Sequence, residues 1–347
     1  MSEKHINTKV ITYPDAQGMK EAAELIKKGA LVAFPTETVY GLGANALMTD
    51  AAEKVYRAKG RPSDNPLIIH LAEPSDAEKY CYTTPEFSRL AKAFMPGPLT
   101  VVMKKKDIIP STVTGGLDTV AVRIPSHIAA RELISLSGVP IAAPSANLSG
   151  RPSTTSADHV ISDMLGRIDM IIDGGDCEIG LESTIVAFCG ENKLKMLRPG
   201  RITLEMLESE GFEVELDKAV TEKLSEGEKP AAPGMKYRHY APGAPVTLVD
   251  SEDEKRIAFL SEFVADSSVA IICFDEDEKI KSAPNAYIIG SKNDPEGQAH
   301  ALFAMLRSFD DKKEIKQIYA PLPDKKGIGL AIFNRMLKAS GYTVIKV

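Results

Sequence analysis

The segment Leu31-Val-Ala-Phe34 with Pro35-Thr-Glu-Thr-Val-Tyr-Gly-Leu-Gly-Ala-Asn-Ala46 most restricts what this chain can fold into. Its first four residues form an apolar strand, and Pro35, which has no N–H, ends regular pairing. Thr36 and Thr38 then offer hydroxyls, and Gly41 and Gly43 allow close approach or shape a turn. Farther on, Lys59-Gly-Arg-Pro-Ser-Asp-Asn-Pro66 sets two cations around Gly60 at a helix end. Fixed cations on a stiff loop suit an anion such as a triphosphate, although these residues alone equally fit a solvated loop.

Composition narrows the classes. A chain of 347 residues has room for two domains, each with its own core. A net charge of −6 gives no global basic field for nucleic acid. Cys81, Cys177, Cys189 and Cys273 form no C-x-x-C pair, which argues against a zinc site and fits a reducing, cytoplasmic setting. The N-terminal residues lack an apolar signal-peptide core, and no apolar run is long enough to span a bilayer.

In chain order, Asp15 caps a helix to Lys28, with Met19, Ala22, Ala23 and Ile26 on one face and Gly29 at its end. Asp50 and Glu53 resemble a capping box for a helix through Ala58. Strands are expected at 67–71, 99–103, 119–124, 139–143, 170–172, 184–188 and 193–197. Helices are expected near 86–94, 127–136, 156–165 and from Thr203 to Gly211. The elements mix without strict alternation, which predicts a mixed α/β sheet. Residues 213–245 lose periodicity and read as a linker. After it come strands at 246–249, 269–274, 286–289, 317–320 and 343–347, with helices at 253–264, 296–308 and 328–339. This predicts a smaller, mostly parallel, Rossmann-like α/β domain.

Gly41-Leu-Gly-Ala-Asn-Ala46 satisfies G-x-G-x-x-A, but Pro35 to Tyr40 separate it from the strand, and Arg61, Pro62 and Ser63 occupy the region where the acid about 20 residues on is expected. No P-loop sequence exists, so phosphate binding has to come from scattered basic and hydroxyl groups. His70 lies in an apolar strand and fits either a ligand or a satisfied half-buried histidine. Arg123, between Val122 and Ile124, alternates onto the opposite sheet face; a carboxylate substrate is its natural bidentate partner, and plain solvent is the other reading. Ser145, Asn147, Ser149 and Ser153 crowd one loop, as phosphate ligands or as a polar turn. Asp173-Gly-Gly175 reads as a turn rather than a metal site, and no Ser-His-Asp arrangement is selected.

These segments, with Pro96-Gly-Pro-Leu-Thr100, Val122-Arg-Ile-Pro125, Pro144-Ser-Ala-Asn-Leu-Ser-Gly150, Glu182-Ser-Thr184 and Leu197-Arg-Pro-Gly200, resemble the YrdC-like family. Pro233-Gly-Met-Lys-Tyr-Arg-His-Tyr-Ala-Pro242 resembles the linker of its long, two-domain form. The resemblance implies a YrdC-like catalytic domain over 1–212, a linker over 213–245 crossing the active-site cleft, and the Rossmann-like domain over 246–347. It implies synthesis of L-threonylcarbamoyl-AMP from L-threonine, bicarbonate or CO2, and ATP, with Mg2+ on the triphosphate and no protein-bound metal. The product would feed threonylcarbamoyladenosine formation in tRNA through separate transferases, with tRNA an indirect partner.

By matching position, the resemblance implies Thr38, His70, Arg123, the Ala143 backbone and Ser183 around threonine. It implies Arg61, Asn65, Thr119, Ser145, Ser153, Arg198 and Tyr237 around ATP, with Lys59 and Arg61 as the catalytic cations. A carbamoyl-adenylate-forming domain like that of hydrogenase maturation proteins fits less well, because the Cys pairs of its companion zinc modules are missing. A non-catalytic RNA-binding protein is the alternative of a different class.

Overall fold

The computed structural model describes residues 6–223, 232 and 239–347. The chain divides into two units, Met1–Ser149 with Ser153–Glu178 and Glu182–Lys236, and Tyr237–Val347 with Gly150–Pro152 and Ile179–Leu181.

The strands of the first unit are β1 (Lys9–Thr12), β2 (Val32–Phe34), β3 (Gly41–Asn45), β4 (Ile68–His70), β5 (Leu99–Lys104), β6 (Thr119–Arg123), β7 (Ile141–Ala143), β8 (Met170–Asp173), β9 (Thr184–Gly190), β10 (Lys193–Arg198) and β11 (Glu213–Leu216). Its helices are α1 (Ala16–Lys27), α2 (Thr49–Lys59), α3 (Pro85–Phe94), α4 (Ile128–Ser137), α5 (Ala157–Met164) and α6 (Leu204–Ser209). The strands form one sheet in the order β1-β8-β2-β3-β7-β4-β6-β5-β9-β10-β11. Parallel pairs such as β4–β6 and β5–β9 alternate with antiparallel ones such as β4–β7 and β5–β6, as the mixed pattern predicts.

Strand alternation sorts the residues by face. Leu42, Ala44, Ile69, Val101, Val122 and Ala142 enter the main apolar core. The registers His70↔Arg123, His70↔Ile141 and Thr100↔Arg123 bring His70, Arg123 and Thr100 together on the other face.

Three local expectations are corrected. The 41–45 segment is a buried strand, and neither Gly41 nor Gly43 makes a turn. A Cβ at Gly43 would lie 2.8 Å from Ile141 Cγ2 and 2.9 Å from Phe34 Cε1, so close strand packing is what requires glycine there. Helix α2 starts two residues earlier than a capping box at Asp50 would place it: Met48 is the N-cap, without a side-chain bond, and Asp50 sits in the first turn. Residues 213–216, counted with the linker in the sequence, pair in parallel with β10 as strand β11.

The second unit holds β12 (Val246–Asp250), β13 (Val269–Cys273), β14 (Ala286–Ile288), β15 (Gln317–Pro321) and β16 (Val344–Lys346), with α7 (Asp253–Ser261), α8 (Pro295–Arg307) and α9 (Gly329–Ala339). Its sheet, ordered β14-β13-β15-β12-β16, is parallel throughout. Inside it Arg256, 2 % exposed, meets Asp277 through two 2.8 Å bonds, a fork that satisfies both charges. Among the described residues no helix is long and apolar enough to cross a membrane.

Candidate functional site

The polar cluster on this second face of the first sheet, beside an apolar core that includes Phe34, Ile141 and Ala143, is built with loops that leave the strands. After Phe34 the chain turns on Thr36, whose hydroxyl accepts from the N–H groups of Thr38 and Val39 and donates to Val39 O at 2.6 Å. Thr38 Oγ1 lies 2.9 Å from Thr36 Oγ1. Tyr40 OH, bonded to Gly175 O at 2.7 Å and to Gly174 N at 3.1 Å, ties this loop to the Asp173-Gly-Gly turn. Gly175 N donates to Asp173 Oδ1 there, so the segment is the turn expected of it.

Arg123 and His70 project from adjacent strands and are each 4 % exposed. The Arg123 Nη2 is 2.8 Å from Glu37 Oε1, yet this is a contact of charge: among the described residues both Glu37 oxygens and Arg123 Nε lack a hydrogen-bond partner. His70 Nδ1 lies 3.3 Å from Ile141 O, and its ring stands nearly perpendicular to that of Phe34, centroids 5.9 Å apart. Burial, then the Arg123 charge, takes the imidazole down to about 3, so it is neutral near pH 7. Ala143 ends β7 on the same face.

Ser183 joins two groups of residues. Its hydroxyl is 2.8 Å from Thr100 Oγ1 and accepts from Arg198 Nη2 at 3.1 Å, while its carbonyl accepts from Arg198 Nε at 3.0 Å. Gly200 is needed for this approach, since a Cβ there would lie 2.5 Å from Thr184 N and 2.7 Å from Glu182 O. Ser153, 1 % exposed, donates to Glu182 Oε1 at 2.5 Å.

Lys59, expected from the resemblance among the cations that neutralise the phosphates, lies buried in the structure. It is 2 % exposed, and its ammonium donates to Ser145 O, Asn147 O and Asn147 Oδ1. Burial, then the neighbouring Arg61, holds it well below the usual lysine range. It anchors the Ser145–Asn147 loop, on which Ser145 Oγ also donates to Asn147 Oδ1. Arg61 follows the left-handed Gly60 and donates to Asn65 O at 3.3 Å and Pro66 O at 3.1 Å. Asn65 is 1 % exposed with its Oδ1 unpartnered among the described residues. Thr119 starts β6 on the face of Arg123, four positions away. Tyr237 lies outside the described residues.

Glu37, Glu182 and Thr100 lie in segments that carry the resemblance, but the sequence does not single them out as site residues. Glu37 stands between two threonines in a proline-led loop, and an acid inside so apolar a stretch was the available signal. Among the described residues no group of three or more His, Cys, Asp or Glu side chains is gathered to hold a metal.

Two family models match the chain: one described as telomere recombination over residues 24–200, the other as threonylcarbamoyl-AMP synthase, C-terminal domain, over residues 202–341. The chain is 46 % identical to the threonylcarbamoyl-AMP synthase of Bacillus subtilis over 94 % of each chain. It is 47 % identical to that of Pyrococcus abyssi over 94 % of this chain and 95 % of the other. The crystal structure of P. abyssi Sua5 complexed with L-threonine superposes with a TM-score of 0.88 at 44 % identity, covering 98 % of this chain and 99 % of that one.

Two outcomes test the geometry. Lys59→Met should lower the unfolding free energy by about 1–3 kcal/mol, because buried carbonyls of the 145–147 loop lose their donor; an unchanged denaturation midpoint would show that Lys59 is no anchor. His70 protonates near 6.5 in the unfolded chain and only near 3 when folded, so stability is lost as pH falls between those values, at about 1.4 kcal/mol per unit. The stability gap between the native protein and His70→Asn should therefore narrow by about 2 kcal/mol from pH 7 to pH 5 in denaturant titrations. A gap independent of pH contradicts a neutral buried His70.

Proposed function

The chain belongs to the threonylcarbamoyl-AMP synthase family, and on that premise we propose that its first unit joins L-threonine, bicarbonate or CO2, and ATP into L-threonylcarbamoyl-AMP, releasing diphosphate. The observation that carries the residue assignment is the meeting at Ser183, which touches Thr100 beside Arg123 on one side and Arg198 on the other. Threonine, the ligand of a related structure, is assigned to Thr38, His70, Arg123, the Ala143 backbone and Ser183. ATP is assigned to Arg61, Asn65, Thr119, Ser145, Ser153 and Arg198, with Tyr237 added from the sequence alone.

The chemistry suits such a face. The amine of threonine takes up CO2 to give a carbamate, and a carbamate oxygen attacks the α-phosphorus as the diphosphate oxygen leaves. No protein nucleophile is needed. The side chains hold mutually repelling anions in line and offset their charge. Arg123, with its unpartnered Nε, binds the threonine carboxylate. Neutral His70 and the hydroxyls of Thr38 and Ser183 are available for the uncharged polar groups of threonine. Arg198 and Arg61 stand on the phosphate side, and Lys59 acts through the loop it anchors. Mg2+ belongs with the substrate, riding on the triphosphate.

We assign this chemistry to residues 1–212 and leave 246–347 as a separate Rossmann-like domain. The adenylate product is consumed, in this reading, by a transferase acting on tRNA. Four unpaired cysteines support the cytoplasm as its compartment.

Incubation with ATP, bicarbonate and an amino-acid panel, followed by mass spectrometry, tests the function: a threonylcarbamoyl adenylate is expected with threonine and at least about tenfold less product with valine, which leaves the site's polar groups unpaired. Equal products from both would refute threonine recognition. In calorimetry, Arg123→Ala should weaken threonine binding far more than ATP binding, and Arg61→Ala the reverse; matching profiles would refute the division of the two arginines.

A further inference from the structure

We propose that Glu37 is a specificity-determining residue, the one by which the amino-acid end of the site selects a zwitterion over a bare carboxylate. The proposal rests on the reading that Arg123 binds the carboxylate of threonine.

Glu37 and Arg123 are each 4 % exposed at the side chain, with Oε1 and Nη2 2.8 Å apart. Neither Glu37 oxygen has a hydrogen-bond partner among the described residues. A buried carboxylate without donors is costly, and structural carboxylates collect N–H groups that offset the cost. The neighbouring N–H groups of Thr38 and Val39 go instead to Thr36 Oγ1. Glu37 is therefore present for its charge rather than for its hydrogen bonds, and Arg123 keeps Nε for another partner.

The charge count follows from the neighbours. His70 is neutral. Cys177, pushed up by burial, stays a thiol, and His127, pushed down by burial, is neutral near pH 7. Arg198 stands on the far side of Ser183. Asp176, which also acts on Cys177, is exposed and screened by solvent, so the buried side chains at the Arg123 end of the face comprise one cation and one anion. An α-amino acid brings one of each, so both of its ends find an opposite charge and no net charge is added to the buried site. A carboxylate without the ammonium brings an anion to a guanidinium already neutralised, and Glu37 repels it. Opposite or like charges at such range in a buried site alter ionic equilibria by a factor of about ten or more.

The test uses the full chain and two ligands, L-threonine and 3-hydroxybutyrate, which is threonine without its amino group. Affinities come from calorimetry, with 3-hydroxybutyrate also measured by displacement of threonine. In Glu37→Gln, threonine affinity should fall while that of 3-hydroxybutyrate holds or rises, so that the preference drops by about tenfold or more. Glu37→Asp keeps the charge and should keep most of the preference even if both affinities fall; this variant decides the matter if Glu37→Gln fails to fold. Equal loss for both ligands in Glu37→Gln, or collapse of the preference in Glu37→Asp, overturns the proposal. Arg123→Ala separates the premise: if it leaves threonine binding intact, the Arg123 reading fails. If it abolishes binding while Glu37→Gln keeps the preference, only the Glu37 proposal fails.

Discussion

The first unit is closed around one buried ammonium. Lys59 ends α2, and its hydrogens reach the carbonyls of Ser145 and Asn147 and the Asn147 side chain, while its own carbonyl accepts from Ser149 N–H. An uncompensated buried cation costs several kcal/mol, so the loop after β7 has to fold onto the end of α2 for either to be stable. That makes a single body of Arg61 on one segment and Ser145 on the other, two residues assigned to the same anionic ligand. The polar loop and the cationic loop, nearly ninety positions apart in the chain, become one surface through this contact.

Elsewhere in the first unit the accounting of buried polar atoms is incomplete. Glu37, Arg123 and Asn65 carry buried polar atoms without hydrogen-bond partners among the described residues. Native proteins hold few such atoms, because each costs about 1–3 kcal/mol. The Arg256–Asp277 fork in the second unit shows what a completed buried pair looks like. Its two aligned bonds satisfy both oxygens of the carboxylate, whereas the carboxylate that Arg123 faces has no hydrogen-bond partner among the described residues and Arg123 has a donor unspent. A substrate rich in donors and acceptors supplies what the site lacks, so binding and the relief of buried polar groups are the same event.

Much of this was legible from local pattern. The 3.6-residue spacing of Met19, Ala22, Ala23 and Ile26 marks a helix whose cap is Asp15. The alternation Val122-Arg123-Ile124 puts the guanidinium on the face opposite the core, and the fold keeps it there. The parallel second sheet follows from strands spaced by helices. What misled were residues whose reason is a distant neighbour. Gly43 looks like a turn residue until Ile141 and Phe34 are packed against it. Glu213–Leu216 looks like linker because an edge strand of four residues with little burial carries almost no pattern.

The sequence by itself determined most of the element types, the two-sheet plan, and which residue kinds can bind anions, because those depend on backbone propensity and on periodicities of two and 3.6 residues. Only the tertiary structure decided that Lys59 is an anchor, that Ser183 bridges Thr100 and Arg198, and that Glu37 faces Arg123. Each of these is set by strand register and by the cost of burying charge across segments far apart in the chain. Neither quantity is written in the local order of residues.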